Sequence, residues 1–150
     1  MYTFVLATHN IVRWLVLIVG VIAVVMAFVG WFGKRNWRDT DDKLGLAYTG
    51  LLDLNLLLGL LLYIFLSPIT KAAFANFGAA MGDSTLRFFA VEHIFGMVVA
   101  IVLAHVGRSR SKKASDSVKK YRTAAIWFAL SLVAVLAMIP WERPLFRGFF

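Results

Sequence analysis

Four apolar stretches, each near the roughly 20 residues needed to cross a bilayer's hydrocarbon core, constrain this chain more than any other feature. They run over 7–32, 45–65, 86–107 and 123–139. Ser67-Pro68 stops the second, the capping cluster Asp83-Ser84-Thr85 opens the third, and Pro140 ends the fourth. Hydrophobic residues make up 61% of the chain and charged residues 16%, against about 25% charged in ordinary soluble domains. A chain of 150 residues folded in water still exposes about a third of its surface. That leaves no place to hide so much apolar area, and the same richness excludes disorder. The expected fold is therefore all-α: one transmembrane four-helix bundle over residues 1–150. The opening lacks the basic segment of a secretory signal, so the first stretch is expected to stay as a membrane helix.

Basic residues set the expected orientation. Lys34, Arg35, Arg38 and Lys43 fall between the first two stretches. Arg108, Arg110, Lys112, Lys113, Lys119, Lys120 and Arg122 fall between the last two. The other side carries Lys71, Arg87, Arg143 and Arg147. By the positive-inside rule both basic loops face the cytoplasm and both termini face outward, in an up-down-up-down order. The net charge of +8 then reads as a topology signal with some contact to anionic lipid, and no nucleic-acid partner is expected. In the longest loop, Lys71 to Phe77 predicts a short surface helix broken by Gly78 and Gly82, with Phe74 and Phe77 dipping into lipid.

Helical phase, at about 100° per residue, places the polar side chains. His9 lines up with Arg13, Val16, Gly20, Ala23, Ala27 and Gly30, and His93 lines up with Gly96, Ala100, Ala104 and Gly107. Stripes of small residues mark close helix approach or room for a flat ligand. Both histidines are thus expected to face the bundle interior, at matching depth, on helices that stand diagonally. Two such imidazoles can ligate one haem iron from both sides, or serve another metal or a quinone headgroup. The plainer alternative is a structural role for each. His105 is about 120° around the helix from His93 and reads as an interfacial residue or a partner contact.

Arg13 inside an apolar span is expected to point inward and be paired. Candidate partners are Glu92, Asp53 or a haem propionate, the last because a guanidinium matches a carboxylate bidentately. On the second stretch Asp53 and Asn55 point almost oppositely. The Asn55 face, with Tyr48 and Gly59, is expected to dock against other membrane subunits or a second copy. Cysteine is absent, which removes disulfides, thiolate metal sites and covalent haem attachment. No nucleophile triad, phosphate loop or zinc motif occurs, so a stand-alone enzyme is not expected.

His9-Asn10-Ile11-Val12-Arg13-Trp14, Gly30-Trp31, Asp42-Lys43-Leu44-Gly45-Leu46, Leu56-Leu57-Leu58-Gly59-Leu60, Arg87-Phe88-Phe89-Ala90-Val91-Glu92-His93 and Ile139-Pro140-Trp141 together resemble a family of small bacterial four-helix membrane proteins, loosely labelled cytochrome b-like. The basic run from Gly107 to Lys113 shares the likeness, which covers nearly the whole chain. It implies the four-span topology in a bacterial cytoplasmic membrane and singles out His9, Arg13, Glu92 and His93. Some members carry a histidine on the second helix near the position of Asp53, and this chain departs there.

Two functions are expected from these residues. The first is a b-type haem subunit for electron transfer, with His9 and His93 as axial ligands, Arg13 on a propionate, and Gly20 and Gly96 making room for the macrocycle. The second is a cofactor-free accessory subunit of a larger membrane complex. Transport around Asp53 and Arg13 is a weaker third.

Overall fold

A computed structural model describes residues 1–141, and every regular element among them is helical. Helix α1 spans Tyr2–Phe32 and α2 spans Asp39–Leu61, continued by a π-helical turn at Leu62–Leu66. Three short helices come next: α3 (Pro68–Ala75), α4 (Phe77–Ala80) and α5 (Ser84–Arg87). A second π turn, Phe88–Glu92, leads into α6 (His93–Lys113), and α7 (Ser117–Ala137) closes the described chain.

Four helical stretches are long and apolar enough to cross a membrane: Tyr2–Phe32, Asp39–Leu66, Ser84–Lys113 and Ser117–Ala137. All four begin before the apolar cores read from sequence, and at three of these starts a carboxylate caps backbone groups that the first turn leaves unbonded. Asp41 closes a capping box on Arg38 at the start of α2. Asp83 accepts from the Leu86 N–H at 2.8 Å, and Asp116 accepts from the Lys119 N–H at 2.9 Å. The fourth span ends two residues earlier than predicted, at Ala137. Arg143 and Arg147 lie outside the described residues.

The polarity is that of a membrane protein. Ile18, Val25, Phe95 and Val133 all point outward, Phe95 at 70% exposure. The apolar surface faces outward from each long helix, while hydroxyls and amides are held inside. This is a multi-pass membrane protein.

Around the bundle, α1 packs on α2 and α7, and α6 packs on α2 and α7. Helices α1 and α6 therefore face each other diagonally. At the α1–α2, α1–α7 and α6–α7 contacts, and between α2 and α7 across the other diagonal, a glycine is filled by a neighbour's side chain. A Cβ on Gly20 would meet Tyr48 of α2 at 2.7 Å, one on Gly45 would meet Phe128 at 3.3 Å, and those on Gly30 and Gly107 would strike Tyr121 and Trp127 of α7. At the core's centre the Tyr48 hydroxyl meets Ser131 Oγ at 3.0 Å, and Ser131 donates to the Ala100 carbonyl at 2.7 Å. These two bonds tie α2, α7 and α6 together. At one end Tyr121 donates to Asp41 Oδ2 at 2.6 Å while its ring packs on Trp37.

The α1–α2 connection closes with Arg35 N–H on the Gly30 carbonyl and Lys34 N–H on the Trp31 carbonyl, a Schellman arrangement. The left-handed residue it needs is Lys34, at φ 50, and not the neighbouring Gly33. In the long loop a surface helix forms as expected, but Asn76 breaks it rather than Gly78. Asn76 leaves helical dihedrals and caps α4 by accepting from Ala79, which carries Gly78 inside that helix. Phe74 and Phe77 stack on each other and stand exposed.

Candidate functional site

Between the first half of α1, the last turns of α2 and the start of α6 lies a cavity of about 160 Å³. His9, Arg13, Asn55, Gly59, Tyr63 and His93 line it. The two histidines and the arginine singled out from sequence therefore meet at one place, on diagonal helices.

His9 is seated by a glycine. A Cβ on Gly59 would stand 3.3 Å from His9 Cε1, so any side chain there would press on the ring. The imidazole lies within hydrogen-bonding reach of the Asn55 backbone. Its Nδ1 is buried and has no hydrogen-bond partner among the described residues.

His93 opens α6 directly after a π turn. Its Nδ1 lies 2.8 Å from the Met138 carbonyl, one of the carbonyls a helix leaves unbonded at its C-terminus. A carbonyl only accepts, so Nδ1 carries the proton and Nε2 keeps its lone pair. The rings of Phe88 and Phe89 lie 5.7 and 6.1 Å from the imidazole. A backbone carbonyl on one ring nitrogen with the other nitrogen available is how a histidine is oriented toward a metal.

Both π turns border this cavity, and a side-chain hydroxyl satisfies a backbone carbonyl in each. Tyr63, in the first turn, donates to the carbonyl of Ala90, in the second, at 2.6 Å. Thr70 donates to the carbonyl of Tyr63 at 2.8 Å. The π turns thus join α2, α3 and the approach to α6 into one cap beside the histidines. π bulges favour functional sites because the extra residue rotates the helix face beyond it.

Several expected placements differ. Gly20 and Gly96 do not line the cavity: the Tyr48 ring covers Gly20, and the Met138 side chain fills the notch at Gly96. Both stripes turn inward as read, but neighbouring helices occupy the space they leave. Neither protein carboxylate considered for Arg13 is aimed at it. Glu92 accepts from Arg87 Nε at 2.7 Å, and Asp53 pairs with His105 Nε2 at 2.8 Å. Arg13 also lies over the Trp14 ring, 5.6 Å from its centroid.

The Tyr48, Asn55 and Gly59 face is not an outer docking surface. Tyr48 is fully buried, Asn55 is 4% exposed, and Gly59 packs on His9. Core hydrogen bonding and the close approach of α1 turn this face inward, which leaves Asp53 on the outside. Sequence reading missed Gly59 and Asn55 as neighbours of His9, and Met138 as the anchor of His93. For the first two, the signal was present in the shared phase of Asn55 and Gly59 along α2. The Met138 carbonyl has no signal in side-chain pattern.

Among the described residues no three histidine, aspartate or glutamate side chains converge on a metal position. Compared with protein-family models, curated proteins and solved structures, the chain matches none. What defines it is a four-span helical bundle with a cavity between diagonal helices, lined by two histidines and an arginine.

Proposed function

We propose that this protein is a b-type haem subunit of a bacterial cytoplasmic membrane, passing electrons between a quinol and a redox partner. The bundle runs up-down-up-down with both termini on the outer side, which puts the cavity toward the outer leaflet. The observation that carries this reading is the pairing of His9 and His93 across one cavity, with a buried unbonded nitrogen on one and a carbonyl-anchored ring on the other.

The donor set fits the group. Two neutral imidazoles on opposite helices are the ligand pair of low-spin b-type haem, and Arg13 supplies a guanidinium for a propionate. The opening lies beside Gly59, not at Gly20 or Gly96; at about 160 Å³ it is close to the size that holds one benzene ring, so a macrocycle would enter only by displacing the side chains that line it. Bound haem supplies one-electron redox chemistry at a potential set by its ligands and surroundings. The chain's own contribution is orientation. The Met138 carbonyl holds the His93 ring, and the close approach of Gly59 seats His9.

The alternative is a cofactor-free accessory subunit of a larger membrane complex, favoured by the polar Asp53–His105 pair on the outer face. An optical spectrum separates the two readings. Protein purified in mild detergent, from cells supplied with haem, is expected to show sharp α and β bands on dithionite reduction. His9→Ala and His93→Ala are each expected to abolish the low-spin spectrum while far-UV circular dichroism stays unchanged. A wild-type spectrum with protein absorbance alone refutes the haem reading and leaves the accessory subunit.

A further inference from the structure

On the outer surface of α2 and α6, away from the cavity, an acid and a base stand together. Asp53 Oδ1 and His105 Nε2 are 2.8 Å apart, and the two side chains are 48% and 47% exposed. Asp53 lies near the middle of the Asp39–Leu66 span. Half-exposed polar groups on a lipid-facing surface are unfavourable unless something else covers them. The pair also has capacity to spare. Asp53 Oδ2 and His105 Nδ1 take no part in the bond they share.

A second observation lies one turn away. A Cβ on Gly50 would meet nothing within 4 Å. The glycines that join the long helices are filled by Tyr48, Tyr121, Phe128, His9, Met138 and Trp127. Gly50 is an open notch in the middle of a span. Leu46, Gly50, Asp53 and Leu57 succeed one another at spacings of four, three and four along α2, the seam of a left-handed helix pair. Val98, Val102, His105 and Ser109 repeat that spacing on α6. Leu46, Leu57, Val98 and Val102 are all exposed.

We infer that the α2–α6 face carrying Gly50, Asp53 and His105 is the contact surface of a homodimer. The occupant is a second copy of this chain because the patch is complementary to itself. A two-fold axis beside the pair sets Asp53 of one copy opposite the partner's His105, so acid meets base twice. With both ring nitrogens protonated, His105 Nε2 donates within its own chain and Nδ1 donates to the spare oxygen of the partner's Asp53, and the Gly50 notch admits the close approach that membrane helices use in place of hydrophobic burial. The inference stands apart from the haem reading, since none of these residues lines the cavity.

The chain has no cysteine, so single cysteines can be placed freely. Leu57→Cys on the proposed face and Ile18→Cys on the outer face of α1 are treated in native membranes with a short bis-maleimide. Leu57→Cys is expected to give an adduct of twice the chain's mass, and Ile18→Cys to stay monomeric. Adding Gly50→Leu, which has open space to occupy, is expected to weaken dimerisation at least about tenfold, equivalent to about 1.4 kcal/mol. Single-molecule photobleaching of labelled protein in liposomes reads the same equilibrium without a cross-linker, and circular dichroism checks that the variant is folded. Equal yields from both cysteines, an adduct of another mass, or a dimer indifferent to Gly50→Leu overturns the inference.

Discussion

Replacing Ser131 by alanine should cost more than its single hydroxyl suggests, and a second mutation should recover part of the loss. Ser131 is fully buried, donates to the Ala100 carbonyl and receives the hydroxyl of Tyr48, which is itself fully buried. In Ser131→Ala the Ala100 carbonyl keeps its place within α6 but loses an interhelical bond. Such bonds contribute about 0.6 kcal/mol on average in membranes. The Tyr48 hydroxyl, however, is stranded in an apolar core, which costs about 1–3 kcal/mol. The expected total is about 2 kcal/mol. Tyr48→Phe removes the stranded group itself and leaves Ser131 bonded to Ala100, at a cost of about 0.6 kcal/mol. The double variant loses both bonds but strands nothing, at about 1.2 kcal/mol. The order of stability should be wild type, Tyr48→Phe, the double variant, then Ser131→Ala. Equilibrium unfolding in mixed micelles of rising SDS fraction, followed by far-UV circular dichroism, measures all four. A double variant less stable than Ser131→Ala refutes the reasoning, because the penalty would then not come from the stranded hydroxyl.

Two further outcomes concern the helix ends. Asp116 caps α7 outside the membrane, and the Lys119 backbone N–H, then the Lys119 side chain, hold its carboxyl below its usual 3.8. A depressed folded value stabilises above the unfolded value and is lost as pH falls through the folded one. Below about pH 4 the wild type should therefore lose stability more steeply than Asp116→Asn, which keeps the cap without the charge; parallel acid limbs in a thermal-unfolding series count against it. The orientation is tested by Ser115→Cys in the α6–α7 connection. In intact cells it should resist a membrane-impermeant maleimide and react once the membrane is opened, and labelling of intact cells reverses the topology.

Much of the site was legible as helical phase. His9, Arg13 and His93 share inward stripes with small residues, and periodicity alone puts such residues on one face. The roles of the small residues were not legible. Gly20 and Gly96 look like room for a ligand, yet their space is taken by Tyr48 of α2 and Met138 beyond α7, residues that meet them only when the helices pack. The face of α2 was equally undecided. Asp53 and Asn55 are two residues apart and point nearly oppositely, so either could have turned inward.

By itself, the sequence determined the solvent and the elements. Long apolar runs in a bilayer must close their backbone hydrogen bonds within helices, and Pro68, Asp83 and Asp116 mark where those helices stop or begin. Only the tertiary structure decided which glycines are filled, which way α2 turns, and that Asp53 finds His105 rather than Arg13. The reason is that these outcomes depend on contacts between residues far apart in the chain. Tyr48 and Ser131 are 83 positions apart, and Asp53 and His105 are 52. Periodicity along one helix carries no information about what the neighbouring helix brings to the same level.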